Sequence, residues 1–128
     1  MAGKTILVVD DEKKIRELLD LRLSSEGYQV FHARHGEEGV EQAKKHLPDL
    51  ILMDVMMPRM DGPEAVRHLQ EDPATRDIPV IFLTAIITKE EEESQASGIH
   101  PEAAKHRFIA KPFDAAGLLA EIKKALGK

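Results

Sequence analysis

Four short apolar runs constrain this chain more than any other feature: ILVV at 6–9, LILM at 50–53, VIFL at 80–83 and FIA at 108–110. Each is too short for a buried helix and lacks the polar alternation of a half-exposed strand. Each therefore reads as a strand covered on both faces. The segments between them carry helical periodicity, and that alternation is the βα pattern of a parallel sheet with helices above and below it. With a more polar run at 28–33, the chain holds five βα units of a doubly wound α/β fold.

The spacing predicts strands at 5–10, 28–33, 49–54, 79–84 and 107–111. The 28–33 run is the most polar of these, which suits a sheet edge, and 49–54 is the most apolar, which suits the centre. A first helix over about 12–26 carries Ile15, Leu18, Leu19 and Leu23 on one stripe and stops at Gly27. A second over 36–46 turns Val40, Ala43 and Leu47 inward. After a loop at 58–62, Pro63 suits the first residue of a third helix that spends Val66 and Leu69 on the core and ends before Pro73. The helix expected near 88–97 is polar nearly all round, with Ala96 its main apolar contribution, so it is weakly docked and a candidate for movement. Asp114 caps a final helix with Leu118, Leu119, Ile122 and Leu126 facing inward.

Composition removes several classes of function. Without cysteine there is no disulfide, zinc-thiolate site or thiol nucleophile. The net charge of −5, with lysines and arginines scattered, leaves no electrostatic footprint for nucleic acid. The first apolar run meets acids at Asp10 and is too short for a signal peptide, and no run approaches a membrane span. The acidic block at 90–93 reads as a solvated helix face. The six histidines, at 32, 35, 46, 68, 100 and 106, form no convincing metal set and take structural or surface roles.

In an open parallel sheet, ligands bind beyond the carboxyl ends of the strands. There the runs are closed by Asp10-Asp11, Asp54, Thr84 and Lys111. Magnesium takes one or two carboxylates in an oxygen octahedron and keeps waters, which an acid pair and a third acid on a neighbouring strand can supply. Asp54 can also attack phosphorus. Three carboxylates repel one another, so cationic relief from a metal and from Lys111 is needed. A phosphoryl group brings about −1.5 to −2 charge; Lys111 can pair with one of its oxygens and the Thr84 hydroxyl can donate to another. Singly, each residue has a structural use: Asp10-Asp11 as a helix N-cap pair, Asp54 as a strand end, Thr84 as a strand or turn cap, Lys111 as a surface lysine. Their joint order after four strands is hard to obtain by accident.

The segments ILVVDDE, LILMDVMMPRMDG, PVIFLTA and FIAKPF resemble the receiver domains of two-component response regulators, and the resemblance covers essentially the whole chain. It implies a flavodoxin-like (βα)5 fold with a parallel sheet of order 2-1-3-4-5. It implies that Asp54 accepts a phosphoryl group from the histidine of a sensor kinase or histidine phosphotransfer protein. Asp11, Asp54 and the backbone carbonyl of Met56 would ligate Mg2+, with Asp10 acting mostly through water. Thr84 and Lys111 would read the phosphoryl group. Phe108 stands at the family's aromatic switch position, and the Lys111–Pro112 bond would be cis. The switch would act on a face built from the helix near 88–97, the strand 107–111 and the last helix, which engages an output protein. The expectation is a cytoplasmic, chemotaxis-regulator-like single receiver domain over residues 1–128. It would have no nucleic-acid or membrane partner and no enzymatic activity beyond its own phosphotransfer and autodephosphorylation.

The chain departs from the family's pattern in places. Between Gly98 and Lys111 it is longer by about six residues; the excess within 99–107 reads HPEAAKHR, in which Pro101 can start a short helix. This insertion is either a tolerated surface feature or a determinant of the output partner. Phe108 lacks the hydroxyl of a tyrosine and is expected to bury its ring readily. Met56 and Ile86 are apolar where the family often has polar groups, so spontaneous dephosphorylation is expected to be slow. Three other functions compete. A degenerate receiver used only for binding is disfavoured by the intact acid, hydroxyl and lysine set. A magnesium phosphatase would want a second acid near Asp54 and a cap over its substrate, and Met56 stands where that acid would be. A flavodoxin-like cofactor binder lacks a phosphate loop after the first strand.

Overall fold

Successive residues of a strand point to opposite faces of a sheet, and here both faces are apolar. The structure, a computed structural model, describes residues 4–55, 60–85, 107–111 and 115–126. The strands are β1 (Thr5–Val9), β2 (Gln29–Ala33), β3 (Leu50–Asp54), β4 (Val80–Ala85) and β5 (Arg107–Lys111). The helices described are α1 (Lys13–Ser25), α2 (Gly36–His46), α3 (Gly62–Gln70) and α4 (Ala115–Ala125). All strand pairs are parallel, in the order β2-β1-β3-β4-β5. The polar strand is at the edge and the most apolar one is central, as the residues predict.

Leu7, Val9, Ile51, Met53, Val80 and Phe82 pack with Ala43, Ala65, Val66 and Leu69 of α2 and α3 on one face. Ile6, Val8, Leu50, Leu52, Ile81 and Leu83 pack with Leu19, Leu23, Leu118 and Ile122 of α1 and α4 on the other. The unbroken runs are thus explained, since odd and even positions each have a helical layer to enter. Each fully buried Leu or Ile side chain adds roughly 1.5–3 kcal/mol. Register is pinned where the strands begin. Thr5 N–H donates to Asp49 Oδ2 at 2.8 Å, and Asp49 N–H donates to Thr5 O at 2.9 Å.

Two apolar positions depart from expectation. Leu18 is 41% exposed. It lies about 100° around the helix from Leu19 and about 140° from Leu23, outside the arc those residues bury. Leu47 is the C-cap of α2, not part of its inner face. Its left-handed φ of 47° turns the chain toward Pro48 and leaves the side chain half exposed. Pro63 is the second helical residue, after Gly62, with Asp61 as the N-cap. Leu118 and Ile122 are buried, and Leu119 and Leu126 pack partly against them. The helix near 88–97, its Ala96, Asp114 and the insertion up to residue 106 lie outside the described residues.

Three histidines do structural work. His32 Nε2 is 3.0 Å from Asp20 Oδ2, the ring of His46 stacks on Phe31 at 3.9 Å, and His35 is the N-cap of α2. In that cap Glu38 N–H donates to His35 Nδ1 (3.2 Å), while Arg34 N–H donates back to Glu38 Oε1 (2.6 Å). The bond from the Arg34 N–H is the main reason the Glu38 carboxyl is held below its ordinary value. A carboxylate lowered on folding contributes stability that is present above its unfolded value, about 4.3, and is lost as pH falls through the folded value. Glu38→Gln is expected to lower stability by about 0.5–1 kcal/mol at neutral pH. In thermal melts across pH, the gap to the parent should close below about pH 4; a gap constant down to pH 3 contradicts the cap.

Candidate functional site

The register of β1 and β3 brings the acids together. Ile6 lies opposite Leu50 and Val9 opposite Met53, so the next pair along is Asp10 and Asp54. By alternation both follow the parity of Ile6, Val8, Leu50 and Leu52. They therefore stand side by side at the carboxyl ends of neighbouring strands, on the α1 and α4 face. One carboxylate oxygen each of Asp10, Asp11 and Asp54 lies within 4.8 Å of the others. Asp10 is fully buried, Asp54 is 6% exposed and Asp11 is exposed.

Asp10 is held at three atoms. Its N–H donates to Ala33 O (3.1 Å), its Oδ1 accepts the Glu12 N–H (2.9 Å), and its carbonyl oxygen accepts from Arg16 Nη1 (2.7 Å). The N-cap of α1 is Glu12, without a side-chain cap. The acid pair therefore precedes the helix and does not cap it, which leaves it at the sheet edge. Arg16 binds a backbone carbonyl, so its charge is brought beside the acids without occupying a carboxylate oxygen by this bond.

Asp54 is fixed through the residues after it. Val55 N–H donates to Leu83 O on β4 (3.0 Å), and Gly62 N–H donates back to Val55 O (3.0 Å), closing the loop at its base. Asp61 then caps α3 by accepting the Glu64 N–H at 2.9 Å. A Cβ on Gly62 would stand 2.5 Å from the Asp54 carbonyl oxygen and 3.0 Å from the Phe82 ring. Only glycine permits this approach.

The backbone of Thr84 is next to last in β4, opposite Ala110, and that of Lys111 closes β5, opposite Ala85. Both positions thus fall at the same edge of the sheet as the acids. Phe108 lies in register with Phe82. Met56 and Pro112 lie outside the described residues. The residues not foreseen are Arg16, Gly36 and Gly62. The visible trace of Gly62 is a glycine directly before a helix-initiating proline, and nothing local singles out the other two.

Three carboxylates this close repel by a few kcal/mol per pair at an effective dielectric near 20. A hard cation relieves that. An octahedral magnesium site with oxygens at 2.0–2.1 Å sets trans ligands about 4.2 Å apart, and a bridging water extends the reach. With their oxygens within 4.8 Å of one another, the three carboxylates suit such a site, directly or through water.

The fold and the acid cluster define a class, and comparison with known proteins agrees. Residues 6–123 match the family of response regulator receiver domains. The phosphate regulon transcriptional regulatory protein PhoB of Pseudomonas aeruginosa is 40% identical over 98% of this chain. The response regulator PleD of Caulobacter vibrioides is 40% identical over 92%. The chain covers 53% of that PhoB and 25% of PleD, so it spans about half or less of the length of these relatives. Among solved structures, the receiver domain of a sensor histidine kinase from Pseudomonas aeruginosa has 30% identity and a TM-score of 0.82. The match covers 99% of this chain and 100% of that one, and that protein has a magnesium ion coordinated in its active-site cleft. A putative response regulator from Chloroflexus aurantiacus has 31% identity and a TM-score of 0.82, with 98% and 99% covered. The chain belongs to the response regulator receiver domain family, the phosphorylatable receivers of two-component signalling. No described helix is long and apolar enough to cross a membrane.

Proposed function

We propose that Asp54 is the phosphoacceptor of this receiver and that Asp10, Asp11 and Asp54 hold Mg2+ for the transfer, together with the Met56 carbonyl. The observation that carries the proposal is the convergence of these three carboxylates within 4.8 Å at the carboxyl edge of the sheet. An Asp54 oxygen attacks the phosphorus of a phosphohistidine on a sensor kinase or histidine phosphotransfer protein. The P–N bond breaks as the P–O bond forms, returning the electron pair to the imidazole and leaving an acyl phosphate. When bound, magnesium neutralises charge on the transferring oxygens. Burial of Asp10 and Asp54 keeps bulk water from screening those interactions. Lys111 pairs with one phosphoryl oxygen and the Thr84 hydroxyl donates to another. Thr84 moves toward the phosphoryl group and Phe108 follows, which biases the face that includes β5 and α4 toward an output partner. The insertion at 99–107 adds to that face. The protein acts in the cytoplasm as a switch, and its only chemistry is on itself.

Incubating the protein with Mg2+ and a small phosphodonor, then weighing it intact, tests the reading. A phosphoryl adduct that Asp54→Asn loses supports it. No adduct points to a binding module, and continuous phosphate release from many substrates points to a phosphatase. With Met56 and Ile86 apolar, nothing at those positions orients an attacking water. The adduct is therefore expected to last minutes or longer, and decay within seconds contradicts that.

A further inference from the structure

The end of the edge strand and the start of the helix after it touch both halves of the acid site. In the sheet β1 separates β2 from β3, yet the end of β2 and the start of α2 between them reach both Asp10 and the chain that follows Asp54. Ala33 at the end of β2 accepts the N–H of Asp10 at 3.1 Å. Gly36, the first residue of α2, lies against Met60 in the loop that follows Asp54. A Cβ on Gly36 would collide with the Met60 carbonyl oxygen and stand 2.9 Å from Met60 Cβ and 3.0 Å from its Cγ. The carbonyl is backbone, so no change of rotamer relieves the clash. Gly36 is not among the positive-φ residues. Glycine is therefore required here by the close approach and not by backbone conformation.

Two residues after Met60, Gly62 N–H donates to Val55 O at 3.0 Å. Gly62 in turn abuts the Asp54 carbonyl. A displacement at Met60 is passed along Asp61 to Gly62, and from there to Val55 and Asp54.

We infer that Gly36 is a positioning residue for the cation site: by admitting Met60 against the start of α2, it sets where Asp54 stands relative to Asp10 and Asp11. This rests on the proposed reading of the three acids as a cation site. Residues that orient metal ligands without touching the metal commonly change its affinity by tenfold or more.

The test titrates magnesium chloride into the metal-free full chain by calorimetry, using wild type, Gly36→Ala and Thr75→Ala. Thr75 is buried, and its hydroxyl donates to Leu69 O at 2.7 Å, beyond the end of α3 and remote from the acids. It controls for lost stability alone. Gly36→Ala is expected to weaken magnesium binding by about tenfold, while Thr75→Ala stays within about twofold of wild type despite a similar fall in Tm. Equal affinity in Gly36→Ala and wild type overturns the inference and leaves the proposed function standing. A wild type that takes up no magnesium overturns both. If Gly36→Ala does not fold, wild-type NMR decides. The Gly36 and Met60 amides must then shift with the same half-saturation as Val55, and an unmoved Gly36 overturns the inference.

Discussion

Asp54→Asn is expected to raise the Tm of the metal-free protein and to abolish its further rise with magnesium. In the absence of metal, Asp54 is a nearly buried carboxylate facing two others within 4.8 Å. Removing its charge relieves two repulsions and keeps the shape of the side chain. The Arg16 charge already offsets part of the repulsion, so a net gain of about 1–2 kcal/mol is expected. For a chain of this size that is roughly 3–8 °C. Magnesium should act in the other direction. A ligand that binds only the folded state adds RT ln(1 + [L]/Kd), about 2.7 kcal/mol at a hundredfold excess over Kd. Wild type gains this and the variant does not, so the order of the two melting temperatures reverses as magnesium is added. Differential scanning calorimetry with and without EDTA reads both effects. Parallel curves at every magnesium concentration would exclude Asp54 from the cation site.

Gly62→Ala tests the same site from the backbone. On helix propensity alone alanine is favoured over glycine by up to about 1 kcal/mol. The structure predicts the opposite sign. The new methyl would press on the Asp54 carbonyl oxygen at 2.5 Å, on the Phe82 ring at 3.0 Å and on Val55 Cα at 3.2 Å. Two of these neighbours are backbone atoms and Phe82 is fully buried, so none can give cheaply. A loss of about 1–3 kcal/mol is expected, along with slower phosphoryl uptake, because the atom displaced belongs to Asp54, the proposed phosphoacceptor. Gly27→Ala is the contrast. Gly27 has φ +92° and open space around it. Its substitution costs about 1–2 kcal/mol through conformation alone, with phosphorylation untouched. Chemical denaturation paired with adduct formation separates the two. An unchanged phosphorylation rate in Gly62→Ala would show that the contact has no bearing on the site.

Much of the fold could be read locally because the physics is local. Runs such as ILVV and LILM cannot be half-exposed strands, so strand type and burial on both faces followed from composition. The polar 28–33 stretch indicated an edge, and it is one. Errors arose where direction mattered. Leu18 fits a helical apolar pattern but points away from the arc the sheet covers. Leu47 reads as the next inward turn of α2, but the helix ends there in a left-handed residue.

The site divides the same way. By itself the sequence determined which side chains close the strands: two adjacent acids, a third acid, a hydroxyl and a lysine. Those identities follow from neighbours in the chain and needed no fold. The order β2-β1-β3 and the offset that sets Val9 against Met53 were decided only by tertiary structure. Pairing between distant strands depends on packing two helical layers and on contacts such as Thr5 with Asp49, which join residues 44 positions apart. Gly36 and Gly62 belong wholly to that second category. A glycine's missing side chain has meaning only once another part of the chain occupies the space it leaves.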